Sequence, residues 1–166
     1  MSGRAAWRPM RVADLAAVAA ISDAVHGAFT EPRSVYAERL ALYPQGCHVL
    51  ARGNEAAIGY LIGHPWPVDA VLPAIGKPIG TVPEGADGYY LHDLALMPAA
   101  RGQGAAQAAT ALVLAQARAE GAKAVMLIAV NGADRFWRTQ GFAEVPGDLP
   151  YGAGAVAMRR AIDADA

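Results

Sequence analysis

The stretch 91–104, LHDLALMPAARGQG, decides how this chain folds. An apolar run carrying the step His92-Asp93 leads through Pro98 into Arg101-Gly102-Gln103-Gly104-Ala105-Ala106, and a long alanine-rich segment follows at once. That order is strand, glycine-bearing turn, helix N-terminus. Such a turn leaves several backbone N–H groups unpaired at the positive end of a helix dipole, which makes it a seat for a pyrophosphate. With no side chains at Gly102 and Gly104, an anion can approach the backbone closely. An ordinary strand–helix connection would use the same glycines for the turn alone. A dinucleotide fingerprint would need a third glycine where Gln107 stands, and a kinase-type phosphate loop would need Gly-Lys-Ser/Thr; the chain has neither.

Working outward, residues 7–11 read as a short first strand, and Asp14 as the N-cap of a helix with Leu15, Val18, Ile21 and Val25 on one face. A second helix from near Ser34 gathers Tyr36, Leu40 and Tyr43 and stops at Pro44. Residues 47–52 and 57–63 make a hairpin across Gly53-Asn54. Residues 89–97 form a strand, 104–120 a helix closed by Gly121, and 124–130 an apolar and therefore central strand. A short helix over 133–139 ends at Gly141, and 142–145 and 155–159 read as two final strands. Residues 65–88 hold Pro65, Pro67, Pro73, Pro78 and Pro83, which exclude a regular central strand or helix. Yet Trp66, Val68, Val71, Leu72 and Ile75 are too apolar for a free linker, which leaves a structured loop over a cleft or a long surface connection. The whole predicts one α/β domain over residues 1–166, a mixed sheet flanked by helices, with no internal repeat.

A chain of 166 residues, 54% apolar and 17% charged, can bury a sizeable core and is not compositionally disordered. A net charge of −1 argues against a nucleic-acid surface built on overall charge. The single cysteine, Cys47, cannot make an internal disulfide and favours a reducing compartment. No long uninterrupted apolar run or signal-type leader is evident, so a cytoplasmic protein with no membrane partner is expected. Cys47 and its neighbour His48 read as strand residues without an activating turn. His26, His48 and His64 have no clustered spacing, so no metal site is expected.

The pattern Arg101-x-x-Gly104-x-Ala106, preceded by Leu94-Ala95-Leu96-x-Pro98, resembles the acyl-CoA-binding motif of the GCN5-related N-acetyltransferase (GNAT) family. Asn131, the aromatic pair Phe136-Trp137 and Gly141-Phe142 resemble a second feature of that family: an Asn, a short helix with paired aromatics, then Gly-Phe. The resemblance implies a single-domain GNAT fold with a splayed sheet. It implies direct acetyl transfer from the cosubstrate acetyl-CoA to a primary amine, expected on a small molecule, with no covalent enzyme intermediate and no metal. Leu94, Ala95 and Leu96 would offer backbone groups to the pantetheine arm. Arg101, Gly102, Gln103, Gly104, Ala105 and Ala106 would cradle the pyrophosphate, and Asn131 would lie near the thiol end or pantetheine. Pairing of final-strand edges, frequent in the family, admits a homodimer. Two alternatives stay open: acetylation of a protein N-terminus or lysine, which needs an open groove, and a non-catalytic acyl-CoA-binding module.

Acetyl transfer requires a base for the ammonium, an N–H donor for the developing oxyanion and a proton source for the departing thiolate. His92 matches the second member of a histidine pair in the arylalkylamine N-acetyltransferase branch, with Tyr90 at the first, and is the expected base or head of a water relay. Asp93 falls on the opposite face of a regular strand unless a bulge re-aims it; it is the alternative base, or an anchor for a cationic substrate. Where the family often has a tyrosine proton donor this chain has Trp137, whose indole is too weak an acid and reads as a packing residue. Tyr151, in the turn Leu149-Pro150-Tyr151-Gly152, is the candidate donor, or else a turn aromatic. Trp66 and Tyr90 are the candidate contacts for an amine with an apolar body.

Overall fold

The computed structural model describes residues 3–146 and 154–163. The strands are β1 (Ala6–Pro9), β2 (Cys47–Ala51), β3 (Gly59–Trp66), β4 (Gly88–Leu96), β5 (Ala124–Ala129), β6 (Ala143–Glu144) and β7 (Val156–Ala161). The helices are α1 (Leu15–His26), α2 (Arg33–Leu42), α3 (Ala105–Ala119) and α4 (Asp134–Thr139). The strands form one seven-stranded sheet in the order β1-β2-β3-β4-β5-β7-β6. Every neighbouring pair is antiparallel except β4 and β5, the two strands joined through α3.

Helices cover both faces of this sheet. Leu15, Val18 and Ile21 of α1 and Tyr36 and Leu40 of α2 pack with Val49, Tyr60, Ile62 and Ala95. On the other side, Ala109, Val113, Leu114 and Ala117 of α3 and Trp137 of α4 pack with Leu61, Leu91, Val125 and Leu127. The buried positions of α3 recur three and four residues apart, the spacing of one helix face. α3 begins at Gly104 and gives way after Glu120 to Gly121, whose left-handed φ of 75° ends the helix. Together with its flanking 3-10 turns, α1 gives a helical stretch, Val12–Phe29, long and apolar enough by length and composition to cross a membrane. No such segment is expected from the sequence, which has no long uninterrupted apolar run. In the fold, the apolar side of that stretch lies against the sheet and forms part of the core.

Two local expectations are corrected. Asp14 starts α1 but bonds none of its amides; its carboxylate takes two hydrogen bonds from Arg8, at 2.8 and 2.9 Å, and one from the Arg11 amide. β3 does not stop at Gly63 but runs through Pro65 to Trp66. β2 pairs with β3 only as far as Ile62, so Pro65 interrupts no ladder on that side and sits where an edge strand tolerates proline. The rest of the proline-rich segment is a loop fastened to its surroundings. Glu31 accepts the Gly76 amide at 2.7 Å, Glu38 accepts those of Ile79 and Gly80, and the Val68 amide donates to Asp87.

Candidate active site

The site is organised by one irregularity in β4. Gly63 pairs with Leu91 and Ile62 with Asp93, so His92 is an extra residue in the ladder. A bulge of this kind lets two consecutive side chains leave on one face. His92 and Asp93 both turn towards α1 and α2, where His92 Nε2 meets Glu31 Oε1 at 2.7 Å and Asp93 Oδ1 meets His26 Nε2 at 2.6 Å. The regular alternation that would have separated them is broken at this point.

The two histidine–carboxylate pairs differ in their surroundings. Asp93 is 9% exposed and accepts three hydrogen bonds: from His26, from Tyr60 at 2.5 Å and from Tyr36 at 3.1 Å. Burial pushes its carboxyl up, but the hydrogen bond and charge of His26 outweigh this and hold it below the usual carboxylate range. Burial likewise pulls His26 down, and Asp93 more than compensates, raising the imidazole above its ordinary value. Burial first, and then the Asp93 charge, keep both tyrosine hydroxyls protonated as donors. In the second pair His92 and Glu31 are both buried. Glu31 uses its other oxygen on the Gly76 amide, while His92 Nδ1 is buried and has no hydrogen-bond partner among the described residues.

Both pairs border a cavity of about 460 Å³. One end is walled by Val25, His26, Phe29, Glu31, Ile75 and Tyr90, and the other by Leu94, Arg101, Val130, Asn131, Ala133 and Trp137. The cavity exists because β4 and β5 pair only over Tyr89–Leu91 and Val125–Leu127 and then diverge. From His92 onward β4 has no strand partner on its β5 side among the described residues, which leaves main-chain groups of Leu94 and the Leu96 amide available on that edge, while Ala95 is turned to Tyr60 of β3.

At the end of β4 the chain turns through Gly102, at φ 77°, and Gly104, at φ 78°. A β-carbon added at either would meet no protein atom within 4 Å, so the space in front of the turn is open. Among the described residues the amides of Gly102, Gln103 and Gly104 donate to no protein group, and the first bond of α3 runs from the Ala108 amide to the Gly104 carbonyl. The amides of Ala105 and Ala106 therefore belong to the unsatisfied first turn. Arg101 lies beside them, its Nε donating to the Leu96 carbonyl at 3.2 Å. Open amides, a helix N-terminus and an arginine together fit a pyrophosphate.

The remaining sequence candidates are distributed as follows. Asn131, two residues after β5, has a left-handed φ of 55° and lines the cavity, as does Tyr90. Trp137 is buried edge-on against Phe136 and Phe142, the packing position expected for it. Trp66 does not line the cavity. Its indole donates to the Val71 carbonyl, and its ring joins Val68, Tyr90, Ala124 and Met126 in a separate cluster. The extension of β3 through Pro65 carries it there. Tyr151 lies outside the described residues. Sequence reasoning missed His26 and Glu31, which stand 67 and 61 residues from their partners, so no local spacing could reveal them.

The chain belongs to the GNAT acetyltransferase family, whose sequence model matches residues 16–142. The fold agrees with solved members. The loading GNATL domain of CurA from Lyngbya majuscula superposes with a TM-score of 0.78 at 15% identity, covering 96% of this chain and 98% of that one. The GphF GNAT-like decarboxylase in complex with isobutyryl-CoA gives 0.76 at 20% identity, covering 94% and 98%. The NatC complex bound to Gag peptide and CoA gives 0.73 at 16% identity, covering 97% and 100%. Comparison with curated proteins finds no sequence match.

Proposed function

We propose that this GNAT protein is an acetyl-CoA-dependent N-acetyltransferase acting, in the cytoplasm, on a primary amine carried by a small molecule with an apolar body. The observation that carries the reading is one cavity that runs across a splayed sheet from two histidine–carboxylate pairs to Arg101, the residue that opens the glycine turn. Bound acetyl-CoA supplies an acyl carbonyl activated as a thioester. The turn at Gly102–Gly104 and Arg101 hold its pyrophosphate, and the unpaired edge of β4 offers the main-chain groups that orient the arm and polarise the carbonyl.

On the acceptor side, His92 takes the ammonium proton. Its Nε2–H is committed to Glu31, which leaves the lone pair of Nδ1 as the accepting site, an atom closed off from water in the free protein that the amine reaches by displacing the wall beside it. Asp93 has both oxygens engaged and serves as the partner that orients His26, in place of the alternative base or cation anchor expected from sequence. Val25, Phe29 and Ile75 supply apolar wall, while Glu31 and Asp93 are each already paired with a histidine. A monoamine with an uncharged body suits such a lining better than a polyamine, whose second charge would be buried without a counterion.

Acetylation of a peptide N-terminus is the competing reading, since a structural neighbour binds peptide. Free-thiol release from acetyl-CoA across apolar monoamines, polyamines, amino acids and peptides tests both. Preference for apolar monoamines is the expected result, preference for peptides favours the competitor, and no turnover with any amine rejects an N-acetyltransferase.

A further inference from the structure

Glu31, in the connection between α1 and α2, is a 6% exposed carboxylate whose two oxygens serve two different parts of the molecule. Oε1 receives His92 Nε2–H at 2.7 Å, and Oε2 receives the amide of Gly76 at 2.7 Å. Gly76 turns with φ 73° immediately after Ile75, the residue of the proline-rich loop that lines the acceptor end of the cavity. Other anchors hold the same loop. Glu38 accepts the amides of Ile79 and Gly80, and the buried Arg39 donates to the Lys77 carbonyl. Those contacts fasten the loop to α2 alone, whereas Glu31 fastens it to a histidine of the site.

Building on the acetyl-transfer reading, we propose that Glu31 is a positioning residue that couples closure of the 74–80 loop over the amine to the placement of His92. With the loop seated, both oxygens are occupied and the carboxylate is held in one rotamer. That rotamer keeps the hydrogen of His92 on Nε2 and the lone pair on Nδ1. With the loop lifted, Oε2 loses its donor, the side chain gains freedom to turn, and the ring loses its fixed orientation. An acceptor too bulky for Ile75 to close over is then penalised twice, in binding and in proton transfer, so size selection appears in kcat as well as in KM.

The test uses Glu31→Ala, which removes both bonds, and Glu31→Gln, which keeps one acceptor oxygen and cannot serve both donors. The readouts are steady-state kinetics with slender and bulky apolar amines, calorimetry with acetyl-CoA alone, and hydrogen exchange of the Gly76 amide. Glu31→Ala is expected to lower kcat and raise the amine KM, for a loss in kcat/KM of about 100-fold, the scale of a misplaced reacting group. Gly76 exchange should accelerate in both variants with acetyl-CoA affinity unchanged, and Glu31→Gln should be intermediate in rate. Ile75→Ala, which leaves both Glu31 bonds in place, should raise the KM and spare kcat for slender amines. Fast Gly76 exchange with a wild-type kcat would reduce Glu31 to a loop tether. A lost kcat with unchanged exchange would confine it to His92. Loss of acetyl-CoA affinity in Glu31→Gln would indicate a general structural role. Each of these three results overturns the coupling. A wild-type protein that acetylates no amine while its Gly76 amide is protected would instead reject the acetyl-transfer reading on which the coupling rests.

Discussion

A carboxylate withdrawn from water is tolerated only when its charge is met, and Asp93 meets it with His26, Tyr36 and Tyr60. Asp93→Ala leaves those donors buried without an acceptor and is expected to cost about 3–5 kcal/mol in chemical denaturation, the usual price of breaking a buried pair. The pair also fixes a pH dependence. The folded-state pKa of Asp93 is lowered, so its contribution is present above the unfolded value of about 4 and is lost as pH falls through the folded value. His26 is raised, so its contribution is complete below the unfolded value of about 6.5 and is lost as pH rises through the folded value. The stability difference between wild type and Asp93→Asn should therefore be largest between about pH 4 and 6.5 and narrow on either side. Melting curves showing a pH-independent difference would contradict an ion pair. His92→Ala should lower kcat/KM for the amine by about 10²–10⁴-fold while acetyl-CoA still binds. Trp137→Phe, which alters a packing ring, should lower the melting temperature more than kcat; if it proves the more damaging of the two to turnover, the assignment of the base is wrong.

The elements meet at the site through close approaches that only glycine allows. A β-carbon on Gly46, just before β2, would stand 1.9 Å from the Gly63 carbonyl oxygen, beside the bulge that re-aims Asp93. Because backbone cannot yield as a flexible side chain does, Gly46→Ala should destabilise by at least the 1–3 kcal/mol typical of overpacking, on the order of the upper figure. It should also reduce turnover by disturbing the register of β3 and β4. The glycine turn before α3 is the opposite case. The β-carbon of Gly104→Val meets no atom of the described residues within 4 Å, so the cost expected for the fold is the strain of a left-handed residue, about 1–2 kcal/mol. Its side chain would occupy the open space in front of the free amides. Calorimetry should then show acetyl-CoA affinity reduced by about tenfold or more, and unchanged affinity would remove the pyrophosphate from this turn.

At the scale of the whole molecule, helices cover both faces of the sheet, β4 and β5 part between them, and the fastened proline-rich loop narrows one end of that opening. Trp66 belongs to the base of the loop, so Trp66→Ala should lower the melting temperature with little change in amine KM, the reverse of what a residue touching the acceptor would do. Helix periodicity, terminating glycines and prolines, and the strand–turn–helix order from Leu91 to Ala106 are local properties, and from them the sequence determined the element order, the α/β class and the open glycine turn. The family motifs singled out Asn131 and Trp137, and the fold brings both to the same opening. The sequence did not determine that β3 would carry Trp66 away from the cavity, since tolerance of Pro65 depends on β2 ending its pairing at Ile62. Nor did it determine that His92 and Asp93 would share a face, since this requires one extra residue opposite β3. The partners His26 and Glu31 were decided by tertiary structure alone: a buried carboxylate and an imidazole find each other through the packing of α1 and α2 on the sheet, and no pattern in the chain records a contact made more than sixty residues away.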